Sequence, residues 1–281
     1  MDARDYSEAA DLRLMQDLTA ECWRLEGPFV IATIGDLPWW MYQHLDKLDE
    51  VRVRLWLEDD RCVAWGWVET GSLIFMVHPQ QRGRLADVLA WADTDEVTAL
   101  EHDTSSIEVL SARGYVVDES HWFDHMTRPL DDLPEPRVND GYVLRAVRGE
   151  EELLARTESH RAAWEPSRVV PESYRQVMRA WPYRPELDWV AVAPDGTFAA
   201  NCLCWLDEGN RIVELEPVGT HPEHRRRGLA AAVCLAALKA ARDAGADTGL
   251  VYPVSGLPAE TLYESIGFRA ISRHLTFRKR Q

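Results

Sequence analysis

Apolar and polar positions along this chain follow two periods, one near two and one near 3.6, and the clearest run of elements lies in the second half. Trp189–Ala193 and Phe198–Leu206 are β-like stretches on either side of Pro194-Asp195-Gly196, and Asp-Gly between two such stretches predicts a tight hairpin. A third strand, Arg211–Thr220, follows the turn Asp207-Glu208-Gly209-Asn210. Leu229, Val233, Ala236 and Ala240 then recur at helical spacing, which predicts a long helix from near Arg226 to Gly245, where glycine closes it. Gly249–Tyr252 reads as a strand, Pro258–Ile266 as a helix with proline in its first turn, and Phe268–Phe277 as a last strand. Upstream, Tyr142–Val147 is extended, and helices are predicted from about Glu150 to Ala163 and near Pro171 to Ala180. The order is β α α β β β α β α β.

The first half carries the same order in worn form. Val51–Leu57 and Cys62–Val68 flank Asp59-Asp60 as a hairpin, Leu73–Val77 makes the next strand, and Leu85, Val88, Leu89 and Ala92 form a helical stripe. His78-Pro79 matches His221-Pro222, and Gly114-Tyr115 matches Gly267-Phe268. These landmarks are 36 residues apart in the first copy and 46 in the second, so the first lacks about ten, mostly from a long helix about two turns shorter. No leading strand is evident before Tyr6. Between the copies, Pro129–Arg137 holds three prolines and three acids without periodicity, the mark of a stiff exposed connection. The expected division is a domain over 1–130, a linker over 131–140 and a domain over 141–281, in an α/β class with an α+β mixed sheet.

The 281 residues are 46% hydrophobic, enough for each half to bury its own core, so disorder is excluded as the main state. No apolar run suits a membrane span and the N-terminus lacks signal-peptide layout, so a soluble cytoplasmic protein is expected. The five cysteines form no Cys-x-x-Cys pair and are expected to be reduced and mostly buried. Charge divides unevenly: residues 1–135 hold 11 basic and 28 acidic side chains, net −17, while 136–281 hold 20 and 19, net +1. Such a chain is a poor nucleic-acid binder, and its field favours a small cationic or amine-bearing partner. A homodimer is compatible with this reading.

The stretch Glu214–Ala230 carries the chemistry. Pro217 and Gly219 interrupt a β-like run, which predicts a bulge or strand splay that frees backbone groups for a ligand. The turn then feeds Arg225, Arg226, Arg227 and Gly228 into a helix start, where unpaired N–H groups and the helix dipole favour an anion such as pyrophosphate. Gly228 and Ala230 allow close approach of phosphate oxygens. An arginine triplet alone would be read as a solvated helix start. Here Arg225-Arg226-Arg227-Gly228-Leu229-Ala230 resembles the coenzyme A signature of the GNAT superfamily of N-acyltransferases, Arg/Gln-x-x-Gly-x-Gly/Ala. The resemblance extends to Ala259, Leu262, Tyr263, Gly267 and Phe268, which match the family ending Ala-x-x-Leu-Tyr-x-x-x-Gly-Phe. It covers 141–280 well and 5–128 in outline.

The resemblance implies two tandem GNAT-like domains, each a mostly antiparallel twisted sheet with flanking helices and a splayed central strand pair. It implies acetyl-CoA as donor, with the backbone of Val218, Gly219 and Thr220 on the pantetheine arm and the turn Arg225, Arg226, Arg227, Gly228, Leu229 and Ala230 on the pyrophosphate. Gly256 departs from the pattern, since many members carry asparagine there. In the first copy, aligning Arg82 with Arg225 places Leu85 at Gly228, and aligning Gly114-Tyr115 with Gly267-Phe268 places Leu110 at Tyr263, so the first domain is expected not to bind coenzyme A and to support the second or line its cleft.

Attack of an amine on a thioester requires the neutral amine, and an alkyl ammonium has a pKa of about 10.4, so a base or water chain is needed. Glu214 and Glu216 are two apart on one strand and share a face, with Val218 and Thr220 on it too if the strand is regular. Either could serve; Glu216 is preferred as nearer the thioester. Tyr263 is the candidate acid for the departing thiolate. Backbone N–H groups near Val218 would hold the oxyanion. His221 and His224 flank a proline turn without ligand spacing, so no metal is assigned, and Ser255 lacks a hydrolase frame. Among twelve tryptophans, Trp39-Trp40 beside Met41-Tyr42, Trp164, and Trp181-Pro182-Tyr183 fall in or near predicted loops as candidates for an aromatic substrate wall. The expected function is acetyl transfer to a primary amine of a small molecule. The alternatives are a noncatalytic acyl-CoA-binding regulatory protein and a protein or peptide N-acetyltransferase.

Overall fold

The computed structural model describes residues 2–45 and 50–280. In the first half the elements are β1 (Asp2–Asp5), α1 (Ala9–Glu26), α2 (Asp36–Tyr42), β2 (Val51–Glu58), β3 (Arg61–Glu69), β4 (Ser72–Val77), α3 (Leu85–Ala92), β5 (Glu96–Leu100), α4 (Thr104–Ala112) and β6 (Tyr115–Pro129). The second half gives β7 (Val143–Ala146), α5 (Leu153–Ala163), α6 (Pro171–Arg179), β8 (Asp188–Val192), β9 (Phe198–Asp207), β10 (Ile212–Thr220), α7 (Leu229–Asp243), β11 (Thr248–Val251), α8 (Pro258–Ser265) and β12 (Arg269–Lys279). Both halves therefore run β α α β β β α β α β.

The first half is more complete than its pattern suggests. A leading strand does exist: β1 pairs antiparallel with β2, from Asp2 opposite Leu57 to Asp5 opposite Arg54. Its sequence, Asp-Ala-Arg-Asp, is wholly exposed and charged at three of its four positions, as suits an edge strand that must not recruit another chain. Residues Trp39–Tyr42, expected in or near a loop, belong to α2. In α1 the apolar stripe Leu12, Met15, Leu18, Cys22 and Trp23 is broken by buried Asp11, Gln16 and Thr19. Each buried polar group is bonded: Asp11 pairs with Arg4 at 2.6 Å, Thr19 donates to Met15 O, and Gln16 Nε2 donates to Ile34 O and, across the halves, to Trp181 O. The helix α3 has 8 residues against 15 in α7, the two-turn deficit expected.

All twelve strands form one sheet in the order β1-β2-β3-β4-β5-β12-β6-β11-β10-β9-β8-β7. The closing strands are exchanged. The second half's β12 pairs antiparallel with β5, the first half's β6 pairs antiparallel with β11, and the two exchanged strands pair with each other. Among the described strands only the pairs β4–β5 and β10–β11 are parallel. Core packing crosses the halves as well. Ile212 and Leu250 pack into the cluster under α1, and Trp39 packs with Tyr174, Leu203 and Trp205 beneath α5 and α6. The five cysteines are buried and free, and no helix among the described residues is long and apolar enough to cross a membrane.

Separating 1–140 from 141–281 would leave the β5 and β11 edges without their neighbours, a ready template for aggregation. Expressed separately, the fragments should aggregate; expressed together, they should copurify as a folded pair. A monomeric 141–281 with a cooperative melting transition would contradict this.

Candidate active site

The site is organised by β10. Its parallel pairing with β11 spans only Ile212–Glu214 and then stops, so the two strands splay. On the other edge, Leu215 lies opposite Cys204 and Val218 opposite Cys202, so three steps on β10 match two on β9. The extra residue is the bulge expected at Pro217, where no N–H is available to the ladder. The bulge changes the parity. Glu214 lies opposite Trp205, on the α5 side of the sheet, whereas Val213, Leu215 and Val218 pack on the α7 side. Val218 thus does not share the face of Glu214, as a regular strand would require. Gly219 returns to the α5 side, where a Cβ would meet Ala163 at 2.6 Å.

Glu214 is 2% exposed and Asp36, at the start of α2, is 4% exposed. Thr33 ties them: its hydroxyl donates to Glu214, and its backbone N–H donates to Asp36 Oδ2 at 2.7 Å. The two carboxyls are themselves hydrogen-bonded. Glu216 accepts a side-chain hydrogen bond from Trp39, and its carbonyl accepts from Trp205 Nε1 at 2.7 Å. Burial, opposed by the bonds from Thr33 and Glu214, leaves Asp36 raised to about 6. Burial first, then the charge of Asp36, pushes Glu214 well above the usual carboxylate range and Glu216 up to about 8. The segment bearing Thr33 and Asp36 sits so tightly on β9 that a Cβ at Gly35 would stand 2.2 Å from the Trp205 side chain.

Two chambers meet at Glu216 and Trp40. One, of about 350 Å³, is walled by Trp40, Trp67, Phe123 and Tyr252, with Glu214 and His274 among its polar groups. The other, of about 410 Å³, is walled by Trp39, Trp164, His160 and Pro217. Of the candidate aromatic wall, Trp39, Trp40 and Trp164 reach the site. Trp181 and Tyr183 do not: Arg13 stacks over Trp181 at 3.6 Å, and the Tyr183 hydroxyl donates to Asp188.

Tyr263, on α8, is 7% exposed and lies on the opposite, α7 side with Cys202, Cys204, Cys234 and Leu229; its ring meets Phe268 edge-on at 5.7 Å. Burial first, then nearby thiols and Glu216, raises its hydroxyl well above the usual range, so it holds its proton as a donor. At the turn, Gly228 has φ +75° and a Cβ there would meet nothing within 4 Å. No side chain caps α7, which leaves its first-turn amides, beginning at Leu229 and Ala230, facing an open cradle suited to an anion. Arg225 donates to the Thr220 and Ala163 carbonyls and Arg227 to the Tyr142 hydroxyl and Glu223 carbonyl, all neutral partners. Arg226 adopts φ +64° in the turn. His221 Nδ1 accepts from Glu223 N and His224 Nδ1 bonds the Tyr142 hydroxyl, so both histidines hold the turn.

The first copy differs in a way that corrects the alignment drawn from sequence. Leu85 begins α3 as Leu229 begins α7, both buried, so Leu85 corresponds to Leu229 and not to Gly228. Arg84 stands at the Gly228 position, and the turn after His78 is one residue shorter. Arg82, moreover, is ion-paired with Glu26 and with Asp103 at 3.1 Å. The sequence missed Thr33, Asp36, Trp67, Tyr252 and His274. Only Thr33-Ile34-Gly35-Asp36, a polar knot inside an apolar stretch, carried a usable signal.

The model of the Acetyltransferase (GNAT) family matches residues 154–268. A mycothiol acetyltransferase from Nocardiopsis dassonvillei is 30% identical over 267 residues, covering 77% of this chain and 78% of that protein. The chain belongs to the GNAT acetyltransferase family. Among solved structures, a GCN5-related N-acetyltransferase from Sphaerobacter thermophilus superimposes with TM-score 0.63 at 21% identity, over 99% of this chain and 95% of that one. A tandem GNAT protein from the clavulanic acid biosynthesis pathway superimposes with TM-score 0.65 at 16% identity, over 98% and 97%. These likenesses span both halves, so the tandem GNAT fold expected from the repeated order is the fold of the whole chain.

Folded Glu216 keeps its proton up to about 8, whereas an ordinary glutamate releases it near 4.5. Between these values unfolding releases a proton, so stability falls as pH rises. The melting temperature should therefore decline from pH 5 to 8, and Glu216→Gln should flatten that decline; equal slopes in both proteins, followed by calorimetry, would contradict the burial of this carboxyl.

Proposed function

We propose that the protein transfers an acetyl group from acetyl-CoA to a primary amine of a small molecule, directly and within a ternary complex. The observation that carries this reading is the position of Glu216, a partly buried carboxyl between two aromatic-walled chambers, on the bulged strand whose other face leads to Tyr263. Chambers of this size suit a small acceptor better than an extended peptide, and their aromatic and acidic walls suit an ammonium ion.

In this reading the pyrophosphate of the donor rests on the amides of Gly228, Leu229 and Ala230 with Arg225, Arg226 and Arg227 around it, and the pantetheine arm follows Val218, Gly219 and Thr220. The acceptor enters as an ammonium ion and gives one proton to ionised Glu216, with Glu214 beside it as a protonated carboxyl. The free amine attacks the thioester carbon, and a backbone N–H near Val218 holds the oxyanion. The C–S bond then breaks; the thiolate takes the Tyr263 proton, and the second amine proton restores the tyrosine through water. Glu216 finally returns its proton to solvent, so the turnover yields amide, coenzyme A and one proton. Donor binding belongs to the second copy, because Arg82 is already neutralised by Glu26 and Asp103. The division into 1–130, 131–140 and 141–281, with closing strands exchanged, is part of this proposal.

Calorimetric titration with acetyl-CoA should give one site per chain, weakened at least about tenfold in Gly228→Leu because a side chain enters the cradle and the left-handed backbone disfavours it. In a screen of primary amines followed by coenzyme A release, Tyr263→Phe and Glu216→Gln should each lower turnover by about 100-fold with donor binding retained. Turnover indifferent to both substitutions would overturn the assigned roles, and absence of donor binding would overturn the reaction.

A further inference from the structure

The proposal above uses residues of the second half for chemistry, yet the groups packed against its base come from α2. Trp39 donates to the Glu216 carboxyl, and Asp36 is joined to Glu214 directly and through Thr33. Thr33 Oγ1 also accepts from the backbone N–H groups of Gly35 and Asp36, at 3.1 and 3.3 Å, so one hydroxyl closes the loop and fixes the carboxyl pair. The close seat of Gly35 on Trp205 fixes this segment against β9, and Trp39 meets His160 of α5 edge-on at 5.4 Å. The helix α2 is thereby held by the second half on two sides.

We propose that Asp36, a residue of the first half, is a positioning residue for the transfer reaction: fixed by Thr33 and Glu214, it acts on Glu216 through its charge and sets the proton affinity of the base. This rests on the reading of Glu216 as base. The titratable groups around Glu216 are Asp36 from α2, Glu214 on its own strand, Glu69 at the end of β3, Tyr252 after β11, His274 on β12, His160 on α5 and Tyr263 on α8. Burial keeps both histidines neutral and both tyrosines protonated, and Glu214 holds its proton. Asp36 lines the same chamber as Glu216, and next after burial it is the charge of Asp36 that raises the proton affinity of the base. His44 and Arg168 line the second chamber with Glu216. In tandem with burial, Asp36 makes the base strong enough to compete for an ammonium proton, which an ordinary carboxylate does poorly. The first half would then tune the reaction as well as wall it.

The test is a ¹³C NMR titration of full-length protein labelled at glutamate side-chain carboxyls, with the Glu216 resonance assigned by its loss in Glu216→Gln. In the unchanged protein Glu216 should titrate near 8. In Asp36→Asn its midpoint should move to more acidic pH by about one unit, and in Asp36→Glu it should return toward the starting value. In Glu214→Gln, which mimics the protonated carboxyl and keeps the Asp36 charge, the midpoint should stay in place. That variant keeps the test decisive if Asp36→Asn does not fold. An unmoved midpoint in folded Asp36→Asn, or a midpoint that falls in Glu214→Gln, overturns the proposal. If the midpoints behave as expected but the acid limb of turnover does not follow them, it is the assignment of Glu216 as base that fails, and the influence of Asp36 on it stands.

Discussion

Pairing between the two closing strands holds the molecule together. Because β12 completes the sheet of the first half and β6 completes that of the second, neither half can present a closed sheet without the other. The exchanged pair β12–β6 joins two five-stranded sets into one sheet and leaves little freedom for the halves to turn against each other. That rigidity carries α2 of the first half onto the α5 side of β10, where the strand has parted from β11. The two chambers follow from this placement, since their walls are drawn from both halves.

A second constraint is electrostatic. Burying carboxyl groups is unfavourable unless they are bonded or hold their protons, and this site does both. Thr33 and Trp39 supply bonds, while Asp36 and Glu214 share one hydrogen bond between them. The result is a reservoir of proton affinity on one face of β10, while the other face holds Tyr263 among thiols and aliphatic side chains. The Pro217 bulge separates the two faces: it turns Val218 toward the α7 side while leaving Glu214 on the other; in the proposed reaction the thioester lies along one side and the amine arrives from the other.

Much of this was legible in the chain. From β8 to β12 the hydrophobic period, Asp195-Gly196, Gly245 and Pro258 placed each element within a few residues, and the two family motifs located the turn and Tyr263. The charged strand β1 was hidden because an exposed edge has no apolar face to reveal, and α1 because Asp11, Gln16 and Thr19 interrupt its stripe to serve buried bonds. Strand exchange leaves no local trace, since β6 and β12 have the same alternation whichever neighbour they take. Pro217 announced a bulge but not its parity, which depends on where β9 resumes pairing. The polar knot at Thr33 and Asp36 was visible in the chain, but its role was not, because that role exists only against Glu214, which is 181 positions from Thr33.

The proposed division of labour puts the donor on the second copy's splayed strand and helix start, whereas Arg82 in the first copy's equivalent turn is held by its own ion pairs. Amide hydrogen exchange of the full-length protein with and without acetyl-CoA tests it most directly. Added protection is expected from Val218 to Ala231 and near Tyr263, with none from His78 to Ala86. Protection at the first-copy turn, or none at the second, would contradict it.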